Sequence, residues 1–327
     1  MTVRILACDD VSSVGLDVLR QAGFDVVVRP AISRADLIEV VSGFDALLVR
    51  SRTSIDESVL VAAGERLKVI GRAGFGLDRI AVAAAEERGV TILQSPEGIA
   101  VTAAEFTLGL LFCVARNIPR ADAALRAGRW DKRRNRGVQL FGKTLGILGM
   151  GNVGRAVAER AVVLGMNVQV HDPLVPDVVI AEVGALPVSW DALLTSSDFI
   201  SVHVSASPRT RDLVDERAFG RMKEGVRLVN CSRGGVVSEA ALVQAIKTGK
   251  VAAAAVDVFD EEPPWGSELL NLPQAVVTPH LVSATFEAQI QVARDLAEQV
   301  RDFFLRADDP ETVQSEGASS LHTEAIS

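Results

Sequence analysis

Short apolar runs alternate with helix-forming stretches almost from one end of this chain to the other, and that alternation restricts the fold more than any other feature. The runs VRILAC (3–8), FDVVV (24–28), ALLV (46–49), LKVIG (67–71) and VTIL (90–93) are separated by helical patterns over 12–22, 33–41, 56–63 and 78–88. Apolar strands bounded by Gly and Asp, each followed by a helix, predict a parallel α/β sheet covered on both faces. An Ala- and Leu-rich helix is expected over roughly 100–117, then a polar, arginine-rich loop at 119–144. The alternation restarts with LGILG (145–149), NVQVH (167–171), FISVHV (199–204), RLVNCS (227–232), VAAAAVDVF (251–259) and AVVTP (275–279). Two α/β units follow, the second being the larger, as 327 residues exceed one ordinary core. A final amphipathic helix is predicted over 284–305, with Ile290, Ala293, Leu296, Ala297 and Val300 on one face. The polar stretch at 307–327 has no periodicity and is expected to be disordered.

Composition narrows the function. With aromatics at 5% and no Tyr, the cores must be built from Ala, Val and Leu. A net charge of −8 argues against a nucleic-acid partner, which needs clustered Lys and Arg. The one basic run, Lys132-Arg133-Arg134 with Arg136, reads as a solvated loop or subunit contact. Cys8, Cys113 and Cys231 have neither zinc spacing nor a disulfide framework, so no metal site is expected. The opening MTVRILACDD is unlike a secretion signal, and the apolar stretch LGLLFCVA (108–115) is too short to cross a bilayer. The expectation is a cytoplasmic protein without a membrane partner.

GILGMGNVGR carries Gly149, Gly151 and Gly154 as G-x-G-x-x-G, directly after an apolar strand and at the start of a helix-forming run. In that context the first Gly permits a tight turn and the second lets backbone approach a pyrophosphate. The third allows close packing, and the anion rests at the helix N-terminus. The next strand ends at Asp172, where a carboxylate would accept hydrogen bonds from ribose hydroxyls and repel a 2′-phosphate. NAD is therefore expected rather than NADP. A second string, GVQLFGKT (137–144), matches the G-x-x-x-x-G-K-[ST] phosphate loop by letter. It follows a polar loop and leads into a strand rather than a helix, so nucleoside triphosphate binding is not expected.

Three strand ends carry groups suited to hydride chemistry: Arg233 in NCSRGG, Asp257 and Glu262 in DVFDEEPP, and His280 in VVTPH. Oxidising a hydroxy acid needs a base for the hydroxyl proton, a cation for the carboxylate and a hydride acceptor. His280, Arg233 and the cofactor would supply them.

In unbroken order, VRSRT, GRAGFGLD, TAAEFTLGLLFCVARNIP, GKTLGILGMGNVGR, HDP, NCSRGGVV, AAVDVFDEEPP and TPHL resemble the D-2-hydroxyacid dehydrogenases, nearest their 3-phosphoglycerate dehydrogenase branch. The resemblance implies a Rossmann nucleotide-binding domain over 99–285. It also implies a flavodoxin-like substrate domain from 1–98 with 286–306, both with parallel sheets, and a homodimer built partly by the long helix. Arg233 would hold the substrate carboxylate, His280 would be the acid/base, and Glu262 would bond its other ring nitrogen. Formate-oxidising relatives have Gln at the Glu262 position, so formate is not expected. Asn152, Val153, Val204, Thr210, Cys231, Ser232 and Asp257 would join the glycines and Asp172 around NAD. Arg50, Ser51, Thr53, Gly74, Phe75 and Gly76 would bind the small 2-hydroxy or 2-keto acid. Val282, Glu97 and the pair Ser205-Ala206 depart from the family pattern. Arg50 and Arg52 favour a phosphorylated substrate, 3-phosphoglycerate or phosphohydroxypyruvate, in serine biosynthesis. Hydroxypyruvate or glyoxylate reduction is the alternative, and an NAD(H)-sensing, corepressor-like binding protein is the alternative of another class. The length leaves no room for the regulatory domain of longer phosphoglycerate dehydrogenases, so serine feedback through such a domain is not expected.

Overall fold

The computed structural model describes residues 2–50, 52–74, 76, 77, 79–95 and 97–307. Ser51 and Phe75 lie outside the described residues, as does the stretch beyond Ala307. The chain forms two compact units, one of 1–99 with the segment from 285 onward, the other of 100–284.

The first unit begins with β1 (Arg4–Ala7), α1 (Ser13–Gln21), β2 (Asp25–Val28), α2 (Arg34–Val40) and β3 (Ala46–Val49). It continues through α3 (Glu57–Ala63), β4 (Val69–Arg72), α4 (Val82–Glu87) and β5 (Thr91–Gln94). The strands pair in the order β2-β1-β3-β4-β5, all parallel, which is the flavodoxin-like winding. Ser33 and Asp56 cap α2 and α3 by accepting the amides of Asp36 and Val59, a local reason for where those helices start. One face of the sheet packs Leu6, Leu47 and Ile70 against Leu37, Val59 and Leu60.

The second unit is entered through α5 (Glu97–Arg116) and α6 (Ile118–Arg126). Then come β6 (Thr144–Leu148), α7 (Asn152–Val163), β7 (Asn167–His171), α8 (Asp177–Glu182), β8 (Leu186–Pro187) and α9 (Trp190–Ser196). β9 (Phe199–Val202), α10 (Glu216–Arg221), β10 (Val226–Asn230), α11 (Glu239–Thr248), β11 (Val251–Val256) and β12 (Ala275–Val277) complete it. The order β12-β11-β10-β9-β6-β7-β8, again parallel, is the doubly wound Rossmann arrangement. Ile200, Val202, Leu228 and Val256 pack against Leu193, Phe219, Leu242 and Ile246 on one face. The chain returns to the first unit in α12 (Phe286–Ala307).

Three sequence expectations change here. The supposed loop at 119–144 begins with helix α6, stabilised by Pro119 in its first turn and an Asp122–Arg126 pair one turn apart. Its many arginines disguised an amphipathic helix as a polar loop. α5 is, among the described residues, the one helix long and apolar enough to cross a membrane, over Ile99–Arg116, and half of that stretch is buried in the protein. The apolar stretch is thus longer than the segment 108–115. In α12 the buried stripe is Ala288, Val292, Ala293, Leu296, Ala297, Val300 and Phe304, while Ile290 is exposed. The contact is set by α1, where a Cβ on Gly15 would lie 2.3 Å from the Ala293 carbonyl oxygen, so the two backbones touch.

Candidate active site and cofactor cradle

Because the strands of the second unit are parallel, Gly149, Asp172, His203, Cys231 to Arg233, Asp257 and Thr278 to His280 all emerge at one sheet edge, beyond the C-terminal ends of β6, β7, β9, β10, β11 and β12. The winding reverses between β6 and β9, which opens the crevice where such sheets take ligands.

The three glycines of the loop after β6 have separate duties. Gly149 has φ +93°, and a Cβ there would sit 2.7 Å from the His203 carbonyl oxygen. A Cβ on Gly154 would stand 2.1 Å from the Gly149 carbonyl oxygen. Packing therefore dictates both. Gly151 caps α7 with an ordinary φ of −68°, and nothing lies within 4 Å of where its Cβ would be. Its missing side chain leaves open space before the first amides of α7, at Asn152 and Val153, which is what a pyrophosphate needs. Asp172 accepts the Met150 amide on Oδ2 at 2.7 Å and the Leu174 amide on Oδ1 at 2.9 Å. The first of these bonds ties the carboxylate expected to read the ribose to the glycine loop itself. The residues present fit NAD.

Around the reactive end, His280 Nδ1 lies 3.1 and 3.0 Å from the two carboxylate oxygens of Glu262, and Glu262 Oε1 also accepts the Phe259 amide at 3.2 Å. The His280 and Glu262 side chains are 39% and 37% exposed, so the pair is reachable from solvent. His280 takes a left-handed backbone, φ 53°. Asp257 makes that conformation possible. Fully buried, it accepts from Thr278 Oγ1 (2.6 Å) and the Leu281 amide (2.8 Å) on Oδ1, and from the Val282 amide (2.9 Å) on Oδ2. Burial raises its carboxyl above the usual range, and these three donors offset that only in part. Asp257, expected beside the nicotinamide, uses both its oxygens to hold the turn that carries His280.

Arg233 is half-buried and donates through Nη1 to its neighbour's carbonyl, Ser232 O, at 2.7 Å. Its turn is organised by Asn230, buried, whose Nδ2 donates to Arg233 O and whose Oδ1 accepts from the Ser232 amide and hydroxyl. Behind Arg233, a Cβ on Gly234 would stand 1.9 Å from the Phe259 carbonyl oxygen. The arginine turn thus packs directly on the segment that holds Glu262. Glu239 steadies the same segment, accepting from the Asp260 amide at 2.8 Å and the Ser267 hydroxyl at 2.6 Å. Neither Asn230 nor Glu239 was singled out by sequence, since a hydrogen-bonding role inside a turn leaves no spacing pattern.

Other expected cofactor residues offer backbone or shape. Cys231 is buried, and burial, then Asp257, drives its thiol far above the ordinary range, so it has no thiolate to present. Thr210 Oγ1 donates to Ser205 O at 2.6 Å and accepts the Ser207 amide at 2.8 Å, closing the loop after Val204. His203 bonds Ser201 Oγ through Nε2 at 2.8 Å, and burial lowers its pKa to about 4. His171 Nδ1 meets Val188 O at 3.0 Å. In GVQLFGKT the amides are already used: Gly142 donates to Gly165 O, Lys143 to Leu140 O and Thr144 to Asp198 Oδ2. No phosphate cradle remains in that loop.

In the first unit, buried Asp9 organises the loop after β3. It accepts the Arg50 amide at 2.6 Å, the Thr53 amide at 3.3 Å and the Thr53 hydroxyl at 2.7 Å, with Arg52 Nε 3.6 Å away. Thr53, expected to bind substrate, gives its proton to Asp9 because a buried carboxylate must be satisfied. Arg52 also donates to Pro30 O, while Arg50 uses Nη1 on Asp10 O at 3.0 Å. Gly74 and Gly76 have φ of +136° and +88°, conformations only glycine adopts easily, and Arg72 braces them through Ala73 O and Gly76 O. Asp9 and Arg72 both escaped the sequence reading.

The family described as "D-isomer specific 2-hydroxyacid dehydrogenase, NAD binding domain" matches residues 108–282. The chain belongs to the D-isomer specific 2-hydroxyacid dehydrogenases, and its second unit is an NAD-binding domain. It is 42% identical over 299 residues to a D-3-phosphoglycerate dehydrogenase of Archaeoglobus fulgidus, covering 91% of this chain and 56% of that protein. The Methanocaldococcus jannaschii D-3-phosphoglycerate dehydrogenase is 41% identical over 300 residues, 91% of this chain and 57% of that one. The chain thus spans little more than half the length of these relatives. Among solved structures, a glyoxylate reductase from Paecilomyes thermophila superposes with a TM-score of 0.86 at 30% identity, covering 95% of this chain and 99% of that one.

Proposed function

We propose that this protein interconverts a D-2-hydroxy acid and its 2-keto acid with NAD(H), its substrate being 3-phosphoglycerate and 3-phosphohydroxypyruvate. The observation that carries the reading is the His280–Glu262 pair, with Nδ1 held by both carboxylate oxygens. That contact fixes Nδ1 as the protonated nitrogen and turns Nε2 outward as the proton-exchanging atom. NAD, when bound, accepts or returns the hydride. Arg233 pairs with the substrate carboxylate, and the first unit serves as the substrate domain. The phosphorylated substrate draws support from the relatives named D-3-phosphoglycerate dehydrogenase and from Arg50, which has donors beyond the one given to Asp10.

A smaller acid is the second reading. It is favoured by the glyoxylate reductase likeness and by Arg52, whose guanidinium is engaged by Asp9 and Pro30. The active form is a homodimer, docked through the face of α5 and α6 that exposes Val101, Phe112, Ile118 and Leu125.

The test is NADH consumption with phosphohydroxypyruvate, hydroxypyruvate, glyoxylate and pyruvate, with Arg233→Ala as the blank. A dominant response to phosphohydroxypyruvate that vanishes in Arg233→Ala while NADH still binds is the expected result. A response confined to hydroxypyruvate and glyoxylate selects the second reading. NADH binding without turnover on any acid overturns the enzymatic one.

A further inference from the structure

The opposite edge of the second unit's sheet, away from the candidate cofactor cradle, holds a cavity. Of about 180 Å³, it is lined by Val138, Lys143, Asp198, Phe199, Lys223 and Arg227, with Glu224 to Val226 closing one side. All lie before or at the N-terminal ends of β6, β9 and β10, whereas Arg233 and His280 stand beyond the C-terminal ends.

The charges on its wall do not balance. Asp198 is fully used: Thr144 donates its amide to Oδ2 at 2.9 Å and Lys223 its ammonium to Oδ1 at 3.1 Å. Burial would raise its carboxyl, yet these donors and the Lys143 charge hold it below the ordinary range. Glu224 is matched by Lys250 at 3.0 Å. Two cations remain. Lys143 is half-buried, and its ammonium makes no hydrogen bond or ion pair among the described residues, acting on Asp198 only through its charge. Arg227 lies over the Phe199 ring, 5.7 Å from its centre, and gives Nε to Val114 O and Nη1 to Gly225 O, with no partner among the described residues for Nη2. Concave walls carrying unmatched, partly desolvated cations attract an anion far more strongly than a flat surface does. The volume has room for a small polyatomic anion.

We propose that this cavity binds a small polyvalent oxyanion, with Lys143, Lys223 and Arg227 as its ligands. A monovalent ion leaves one of the two spare cations uncompensated, so charge as well as size selects a di- or trianion. Arg227 also holds the Val114 carbonyl in the last turn of α5. An anion that draws on the guanidinium therefore acts on the end of the helix whose exposed face is assigned to the dimer.

Calorimetric titration of the whole protein, saturated with NADH throughout, tests this with inorganic pyrophosphate and citrate as probes and chloride as the monovalent control. Saturable binding of one or both polyvalent probes is expected, weakened about tenfold or more in Lys143→Met and restored in Lys143→Arg. The pyrophosphate and citrate arms separate phosphoryl from carboxylate chemistry. Because the Lys143 ammonium makes no hydrogen bond among the described residues and Asp198 keeps its Thr144 and Lys223 donors, Lys143→Met is expected to fold and bind NADH like the wild type. In a parallel titration without NADH, binding that disappears once NADH is added would place the anion in the cofactor cradle and overturn the proposal. Equal affinity in Lys143→Met, or no saturable binding by the wild type, would do the same.

Discussion

At His280 both backbone and side chain are constrained. Its φ of 53° is one that Asn also accepts readily, so His280→Asn removes the proton-exchanging nitrogen with little backbone penalty. Turnover is expected to fall by about 10²–10⁴-fold while the melting temperature stays near that of the wild type. A near-normal rate would remove His280 from proton transfer. His203 yields a different prediction. Burial lowers its folded-state pKa to about 4, below the ordinary 6.5, so the unfolded chain binds protons more readily between those values. The stability associated with neutral His203 is present above pH 6.5 and is lost as pH falls toward 4. In His203→Gln that share of the acid slope should disappear, seen as a smaller change in urea midpoint between pH 7 and 4 than in the wild type. An identical slope would assign the acid sensitivity to other groups.

The glycine loop and the arginine turn show how elements divide labour between folding and binding. Gly151→Ala meets open space at an ordinary φ, so it should leave the melting temperature almost unchanged while weakening NADH binding. Gly154→Ala and Gly234→Ala force a Cβ to 2.1 and 1.9 Å from backbone carbonyl oxygens. Overpacking of about 1–3 kcal/mol should lower their melting temperatures by about 2–12 °C, read by calorimetry. If Gly151→Ala destabilised as much as Gly154→Ala, the cradle reading would fail. Strands such as β3 and β11 were legible because parallel strands buried on both faces are apolar runs, and the glycine spacing was legible because its mechanism is local. α6 was hidden by its charges, and β8 by having two residues, one of them Pro187. The buried Asp9, Asn230 and Asp257 that hold the site's turns were illegible as a set, because their partners lie far along the chain or form within a single turn. A carboxylate such as Asp257 reads from sequence as a ligand-binding group, and only its three donors show where its charge is spent.

For the whole molecule, the homodimer assignment predicts that Phe112→Asp, on the exposed face of α5, shifts the mass measured by light scattering from two chains to one. A wild-type protein that is already monomeric at micromolar concentration would remove α5 from that role. The connectivity has a further consequence. The second unit is inserted within the first, whose last helix comes only after residue 285. On a ribosome, the flavodoxin-like sheet therefore emerges early and then waits, with Gly15 and Gly71 still lacking the helix that covers them, while roughly 190 residues follow. At about 5–20 residues per second that wait is about 10–40 s, during which the NAD-binding unit can fold first. The nascent chain thus completes its parts in the reverse of the order in which it begins them. A chaperone acting on this protein would find its first ninety-nine residues exposed longest.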